Sequence, residues 1–346
     1  MAITGFFNKS TYLIAECAYS FEGEKTYLLD SIKALSDTRG VDAVKFHILC
    51  DMDSYATSDH NVYDLLKDWM LRQDEWVEVI DKTRDSGLDA IILADDLASM
   101  DFLKGIEEKL AAIEIHAVSL NDVTMLEKAS SFKIPVILGI GGSTIDEIEY
   151  AVNYLREDGK EDIVLMYGFQ NYPTKYEYVN LKKMGKIKDK FNLPLGYADH
   201  TSWDDANQEM ITLAGFMAGA SIIEKHFVLE KGVKRTDYEA AVSTEDLSIL
   251  REKMTILSKA MGSGDLGLNP YEMEYGATGP MKKVIVAAKD IRKGEPIMLE
   301  NIAFKRTGRE SPVKQMQVRE LLDRKAGKKI IKDDLITFDN TLDPGE

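Results

Sequence analysis

Eight short apolar runs without polar alternation recur along the 346-residue chain, and they constrain its fold more than any other feature. Continuous runs of this kind are typical of strands buried on both faces, as in parallel sheets covered by helices. Amphipathic segments of helical length separate the runs. The runs lie at residues 12–17, 42–48, 89–95, 112–118, 135–141, 163–169, 194–200 and 221–227.

Eight strand–helix repeats predict a (β/α)8 TIM barrel, whose catalytic residues gather at the carboxyl ends of the strands. A doubly wound open sheet is the alternative, but no glycine fingerprint for a dinucleotide follows the first run. Several helices are expected to begin at capping boxes, in which a hydroxyl residue precedes an acid by three positions. These boxes are Ser143/Asp146, Thr174/Glu177, Thr201/Asp204 and Ser243/Asp246.

The glycine-rich stretch at 261–280 breaks the strand–helix rhythm, and short strand-like segments separated by charged turns follow it. We therefore predict a barrel domain at 1–262, a linker at 263–283 and a compact second domain at 284–346.

The formal net charge of −16 argues against nucleic acid or an anionic membrane as a partner, because both favour a basic surface. The opening residues lack the pattern of a secretory signal, and the most apolar segment, Ile211 to Ile223, is too short to span a bilayer. Two cysteines, Cys17 and Cys50, fit a reducing compartment and are expected to be inert thiols. We expect a cytoplasmic protein.

Two histidines lie 26 positions apart, in GYADH ending at His200 and in IIEKH ending at His226. This separation is one strand–helix–strand repeat, so both imidazoles are expected at neighbouring strand ends. A lone histidine there is more often a packing residue, but two in one register favour a divalent metal site, in which an adjacent carboxylate could fix the imidazole tautomer or join the coordination. Two further histidines, His47 and His116, also lie at strand ends.

Lys45 lies inside an apolar run, where a cation is costly unless it is paired or holds an anion. A buried ion pair with Glu16 is one interpretation, and a clamp for a substrate carboxylate or phosphate is the other. Glu16 and Glu224 are likewise either ion-pair partners or acid–base groups.

The motifs IAE, AVKF, NYPT, GYADHT and EKHF, in this order, resemble those of the N-acetylneuraminate (sialic acid) synthase family. The segment VAAKDIRKGEPIMLENIAFKRTG resembles the antifreeze-like domain that follows the barrel in that family. The resemblance implies an enzyme that condenses phosphoenolpyruvate with the open-chain form of an N-acetylated amino sugar and releases phosphate. It also implies a divalent metal, Mn²⁺ or Mg²⁺, held by His200 and His226 and polarising the sugar aldehyde.

The resemblance assigns further roles by position. Lys45 would bind phosphoenolpyruvate, and Glu16 would orient a reacting water or hydroxyl. Together with Glu224, these are the predicted catalytic residues. Arg306 would enter the site of a neighbouring subunit, which implies a domain-swapped homodimer. The substrate-binding residues would be His47, His116, Ser119, Gln170, Tyr172 and Asp237, with Arg306.

Several phosphate-binding side chains that the resemblance leads us to expect are replaced in this chain. His116 stands in place of a lysine, and Ala94, Gly139 and Ala198 stand in place of hydroxyl residues, whereas Ser119 is kept. Each lost charge-assisted hydrogen bond is worth about 1.5–3 kcal/mol. Backbone N–H groups of the turn at 139–144 could compensate. Three hypotheses follow: a divergent synthase, a metal-dependent aldolase or lyase with a donor that lacks phosphate, and a non-catalytic sugar-binding barrel. Tyr238 and Glu239 replace a common histidine–lysine pair, which puts ordinary N-acetylmannosamine recognition in doubt.

Overall fold

The computed structural model describes residues 11–169, 171–277 and 281–343. The chain separates into two compact units, Met1–Gly262 and Ser263–Glu346. No helix among the described residues is long and apolar enough to span a lipid bilayer.

Eight parallel strands of the first unit close into a barrel in sequence order, so the predicted fold is confirmed. Each of the eight apolar runs contains one strand, and nearly every strand residue is buried because the helices cover the outer face. The strands are β1 (Tyr12–Ala18), β2 (Ala43–Ile48), β3 (Asp89–Ala94), β4 (Ala112–Ile115), β5 (Val136–Gly139), β6 (Ile163–Tyr167), β7 (Leu195–Asp199) and β8 (Ile222–His226).

Helices connect the strands and pack around the barrel, in the element order of the sequence. They are α1 (Lys25–Thr38), α2 (Met52–Tyr55), α3 (Tyr63–Trp69), α4 (Gln73–Asp85), α5 (Leu97–Lys104), α6 (Val123–Ser130), α7 (Ile145–Glu157), α8 (Tyr176–Val179), α9 (Leu181–Phe191), α10 (Gln208–Met217) and α11 (Thr244–Met261). The short helices α2 and α3 are inserted after β2 and share a small apolar cluster of Leu49, Met52, Tyr63 and Leu66.

One predicted capping box is confirmed, because Ser243 and Asp246 cap α11 reciprocally. The box of α7 lies one residue later than predicted, at Thr144 and Glu147. The other two predicted starts are wrong. The α8 helix follows Lys175 without a side-chain cap, and the Thr201 hydroxyl donates to Asp199 instead of starting a helix.

The barrel interior changes from apolar to charged along its axis. Its closed part is filled by a separate apolar cluster that includes Tyr12, Ile14, Ala43, Ile91 and Ile222. Toward the carboxyl ends of the strands the inward side chains become Glu16, Lys45, Glu114 and Glu224. The apolar layer therefore supports a polar site at the end of the barrel where active sites of this fold occur.

The second unit has its own apolar core, which includes Ile285, Ile291, Ile297, Leu321 and Ile336. Its elements are α12 (Pro270–Glu272), a π-helical turn (Met273–Ala277), β9 (Val284–Ala287), β10 (Ile302–Lys305), α13 (Val318–Leu321), β11 (Lys325–Ala326) and β12 (Thr341–Leu342). The strands pair as two antiparallel hairpin-like ladders, β9 with β10 and β11 with β12.

Candidate active site

A cavity of about 270 Å³ opens at the carboxyl ends of the barrel strands. Its walls come from most of the strands, as expected for a site built by a closed parallel barrel. The residues predicted from the sequence that line it are Glu16, Lys45, His47, His116, Tyr172, His200, Glu224, His226 and Asp237.

Three predicted site residues lie elsewhere. Ser119 lines a neighbouring cavity, which also contains Asp96 and Asp122. Arg306 follows β10 in the second unit, where its guanidinium lies 3.6 Å from the Met281 sulfur. Gln170 lies outside the described residues.

Glu16, His200 and His226 form a buried group of possible metal ligands, with one donor atom of each within 4.8 Å of the others. Glu16 and His226 are adjacent in the β1–β8 register, and His200 directly follows β7. The two imidazole rings lie 5.1 Å apart between centroids. The ring of Tyr172 stands edge-on to both histidines, at 4.8 and 5.3 Å.

The chemical state of these donors suits a divalent cation. Burial, together with nearby cations, lowers the pKa of His200 to about 3 and that of His226 to about 4, so both imidazoles are neutral near pH 7. Burial opposes ionisation of Glu16, but Lys45 and the neighbouring histidines outweigh it and hold the pKa of this carboxyl well below its usual range. Nε2 of His226 has no hydrogen-bond partner among the described residues. Neutral imidazoles are ordinary ligands of Zn²⁺ and other transition metals, and a carboxylate oxygen is an ordinary ligand of Mn²⁺ and Mg²⁺.

Lys45 lies beside the metal-ligand group and contacts three carboxylates. Its Nζ is 2.9 Å from Glu16 Oε1, 3.0 Å from Glu114 Oε2 and 2.7 Å from Glu224 Oε1. All four side chains are almost completely buried. The ion-pair interpretation of Lys45 therefore describes the ligand-free protein, in which the three carboxylates outnumber the ammonium that they share.

The excess negative charge changes how these carboxyls ionise. Burial and the neighbouring Glu16 raise the pKa of Glu224 well above its usual range, although Lys45 opposes this. Burial also raises the pKa of Glu114. The second oxygen of Glu224, Oε2, is buried without a hydrogen-bond partner among the described residues. Glu224 thus combines a raised pKa with one oxygen that no described protein group contacts by a hydrogen bond.

Two family models match the chain. The model described as NeuB family matches residues 34–266, which is more than half of the chain. The chain belongs to the NeuB family. A SAF domain model matches residues 282–340, the region of the predicted C-terminal domain. Membership confirms the family resemblance that the motifs indicated.

Relatives of this NeuB-family chain align over nearly its full length. The uncharacterized protein MJ1065 of Methanocaldococcus jannaschii is 32% identical over 337 residues, which cover 96% of this chain and 95% of that protein. The N,N'-diacetyllegionaminic acid synthase of Campylobacter jejuni is 29% identical over 343 residues, which cover 95% of this chain and 99% of that protein. The crystal structure of N-acetylneuraminic acid (sialic acid) synthetase from Leptospira borgpetersenii matches with a TM-score of 0.70 at 24% identity, over 76% of this chain and 89% of that chain. This last likeness concerns the fold.

The carboxylate beside His200 does not face the group of possible metal ligands in this NeuB-family protein. Asp199 points to the outer face of the barrel, where Oδ2 contacts Lys225 Nζ at 3.1 Å and accepts from the Thr212 hydroxyl of α10. Its Oδ1 accepts from the backbone N–H and hydroxyl of Thr201. The idea that Asp199 joins the coordination is therefore wrong. Strand alternation explains the outcome, because neighbouring residues point to opposite faces.

One charged residue of the cavity, Glu114, was missed, and Asp95, at the end of the third apolar run, was given no role. Glu114 is a carboxylate inside the run AIEIHAV, and it could have been recognised by the argument that singled out Lys45, since an isolated charge in a buried strand needs a partner. Asp95 follows β3 and accepts a 2.6 Å hydrogen bond from the Tyr19 hydroxyl. An apolar wall formed by Val62, Leu65, Leu66 and Trp69 was also missed, since those residues lie in the insertion after β2.

The positions that replace expected phosphate ligands are closely packed. Gly139 ends β5 and lines the cavity, and an added Cβ would lie 2.9 Å from the Ala117 backbone nitrogen and 3.4 Å from Glu114 Oε1. A serine does not fit there unless the backbone moves. Ala94 is fully buried at the end of β3, and Ala198 lines the cavity with its methyl group. These three positions thus offer no side-chain donor to an anion.

Proposed function

We propose that this NeuB-family protein condenses phosphoenolpyruvate with the open-chain form of an N-acetylated aldose, and forms a sialic-acid-like 2-keto-3-deoxy sugar acid and phosphate. The observation that carries the proposal is the metal-ligand group Glu16, His200 and His226 opening on the same cavity as Lys45 and Asp237. The name of the Campylobacter jejuni relative, a legionaminic acid synthase, supports a nonulosonic acid as product.

A divalent cation held by Glu16, His200 and His226, Mn²⁺ or Mg²⁺, would polarise the acceptor aldehyde as a Lewis acid. In the reaction, carbon 3 of the enol forms a bond to the aldehyde carbon, and the aldehyde oxygen takes up a proton. Water adds at carbon 2, and the bond from carbon 2 to the phosphate oxygen then breaks. The product is a keto acid with one new hydroxyl, and inorganic phosphate leaves.

Lys45 would hold the donor carboxylate, as an ammonium in a buried cavity is a strong partner for an anion. Burial and the neighbouring carboxylates raise the pKa of Glu224, which favours a role as proton donor to a substrate oxygen beside Lys45. Glu16 would orient the attacking water. Asp237 would accept from a hydroxyl of the acceptor, and Tyr172 would exclude water from the histidines.

The proposal includes the second unit. Arg306 would act in the site of a neighbouring subunit in a domain-swapped homodimer, and the reaction would take place in the cytoplasm. His116 would contribute a neutral donor to the substrate, because burial and the nearby His47 lower its pKa to about 4.

The test is release of inorganic phosphate by the purified full-length protein with Mn²⁺, phosphoenolpyruvate and a panel of N-acetylhexosamines and hexoses. We expect phosphate release only when an aldehyde acceptor is present, and loss of release after chelation. Absence of release with every acceptor, together with absence of phosphoenolpyruvate binding in calorimetry, would contradict the proposal.

A second candidate is a metal-dependent aldolase or lyase with a donor that lacks phosphate. The composition of the cavity lining favours this candidate. Among the described residues, the lining contains one lysine, Lys45, and no arginine. Its carboxylates are those of Glu16, Asp95, Glu114, Glu224 and Asp237. Such a lining is poor in donors for a phosphate dianion. The same assay distinguishes this candidate when pyruvate replaces phosphoenolpyruvate, since product would then form from pyruvate and aldehyde without phosphate.

A further inference from the structure

The two oxygens of Glu16 have different surroundings. Oε1 lies 2.9 Å from Lys45 Nζ and 3.0 Å from His47 Nε2. Oε2 faces the metal-ligand side, at 3.3 Å from His226 Nε2. One oxygen is therefore occupied by protein groups, and the other is left for the group formed with His200 and His226.

Lys45 alone does not fix this orientation, because its ammonium is shared with Glu114 and Glu224. A shared ammonium can shift toward any of the three carboxylates when a substrate enters. His47 is different, because its Nε2 contacts Glu16 while its other ring nitrogen faces a different carboxylate, that of Asp95.

The His47 ring is held from several sides. Nδ1 lies 3.7 Å from Asp95 Oδ2, and the same carboxylate oxygen accepts a 2.6 Å hydrogen bond from the Tyr19 hydroxyl. Tyr19 and His116 stand edge-on to the His47 ring, at 5.3 and 5.8 Å between centroids. Both nitrogens of His47 thus face protein carboxylates. This arrangement directs His47 toward protein carboxylates, whereas the sequence predicted that it binds substrate.

We propose that His47 and Asp95 are positioning residues that hold Glu16 with one oxygen directed at the metal. The chain of contacts runs across three consecutive strands, from Asp95 after β3 to His47 in β2 and Glu16 in β1. The inference rests on the metal site of the proposed function. Groups that contact a metal ligand from behind set its direction and basicity, and their loss usually lowers metal affinity by about 10- to 100-fold.

The test is Mn²⁺ affinity, measured by calorimetry on the full-length protein, and the visible absorption spectrum of the Co²⁺ form. We expect His47→Leu to weaken Mn²⁺ binding by about 10- to 100-fold and to change the Co²⁺ spectrum. His47→Gln keeps an N–H for Glu16 but loses the contact with Asp95, so it should recover most of the affinity. Asp95→Asn should weaken binding by a smaller factor, within about 10-fold.

His116→Leu is the matched control, because leucine keeps an apolar side chain beside the His47 ring and His116 lies outside the group of possible metal ligands. We expect its Mn²⁺ affinity to stay within about 2-fold of the parent, which is below the range seen for groups behind a ligand. Equal weakening in His47→Gln and His47→Leu, or in His116→Leu, would assign the effect to packing and overturn the proposal.

The parent protein separates this inference from the proposed function. A parent that binds Mn²⁺ and shows the expected variant series supports the positioning role even if phosphoenolpyruvate gives no phosphate release. A parent that binds neither Mn²⁺ nor Co²⁺ overturns the positioning role together with the metal site.

Discussion

Two buried lysines on the barrel strands are paired in opposite ways. Lys225 faces outward and contacts one carboxylate, Asp199, at 3.1 Å. That carboxylate also accepts from Tyr197, Thr201 and Thr212, so its oxygens are fully used and the pair is neutral. Lys45 faces inward and contacts three carboxylates, and one oxygen of Glu224 has no hydrogen-bond partner among the described residues.

The contrast separates a requirement of folding from a requirement of chemistry. A buried ion pair whose carboxylate oxygens all accept hydrogen bonds needs no further partner for its negative charge, although replacing such a pair with apolar groups is often tolerated. An unbalanced cluster raises the free energy of the folded state, because like charges repel and buried oxygens lack partners. The inner cluster therefore makes sense when a cation or substrate completes it, whereas the outer pair needs no ligand.

The largest expected effect comes from removing each lysine in turn. Lys225→Met leaves Asp199 buried without its cation and should lower the free energy of unfolding by about 3–5 kcal/mol, with the activity of the folded fraction nearly unchanged. Lys45→Met should lower the rate of phosphate release by about 10²–10³-fold, and its stability loss should be smaller because the surplus carboxyls can protonate. Urea denaturation and phosphate release on the same samples measure both quantities. If Lys225→Met and Lys45→Met lose activity equally, the outer ion pair is not purely structural and the contrast with the inner cluster is wrong.

The second prediction concerns metal binding on the inner face. His200→Ala should weaken Mn²⁺ binding by at least about 100-fold, more than the loss of a group behind a ligand, without unfolding the barrel. His60→Ala is the control, since His60 is exposed and lies outside the central cavity. Calorimetry with Mn²⁺ and thermal unfolding with a chelator present check the two statements. A His200→Ala protein that binds Mn²⁺ like the parent would show that the ligand group is assigned wrongly.

The barrel was predictable because burial on both faces leaves a direct trace in the sequence. Each strand is a run such as YLIAEC or DAIILAD, and a helix of matching length follows. Helix starts were harder. Thr201 satisfies a capping pattern, but its hydroxyl and N–H belong to Asp199, since tertiary contacts decide between the partners that a side chain could take.

The candidate site was only partly predictable. Strand ends identified His200, His226, Glu16 and Lys45, because parallel strands of a barrel finish at one mouth. The sequence did not indicate that the Asp199 side chain points to the outer face of the barrel, or that Glu114 contacts Lys45. A shift of one residue in a strand reverses the face to which each side chain points. The wall from Val62 to Trp69 comes from the short helix α3 and the residue before it, in an insertion after β2 that the strand–helix repeat does not predict.

The smallest expected effect is a pH-dependent stability at the rim of the cavity. Burial raises the pKa of Asp237 to about 6, above the value of about 3.9 expected in the unfolded chain. The folded state then binds the proton more tightly, so the free energy of unfolding falls as the pH rises from about 4 to about 6 and stays lowered above that.

Asp237→Asn removes this titration and should make the chelated protein more stable than the parent by about 2–3 kcal/mol above pH 6. The difference should vanish below about pH 4, where the aspartate of the parent is protonated in both states. Urea denaturation at pH 4 and pH 7.5 measures it. The same variant should lose affinity for the acceptor sugar, so a gain in stability would accompany a loss of function.

Asp246→Asn is the contrasting control. Asp246 caps α11 and contacts Lys231, and these partners lower its pKa against the effect of burial, so its replacement should destabilise the protein at pH 7.5. If Asp237→Asn is less stable than the parent at pH 7.5, the Asp237 carboxylate stabilises the folded state, as that of Asp246 does, and the prediction is wrong.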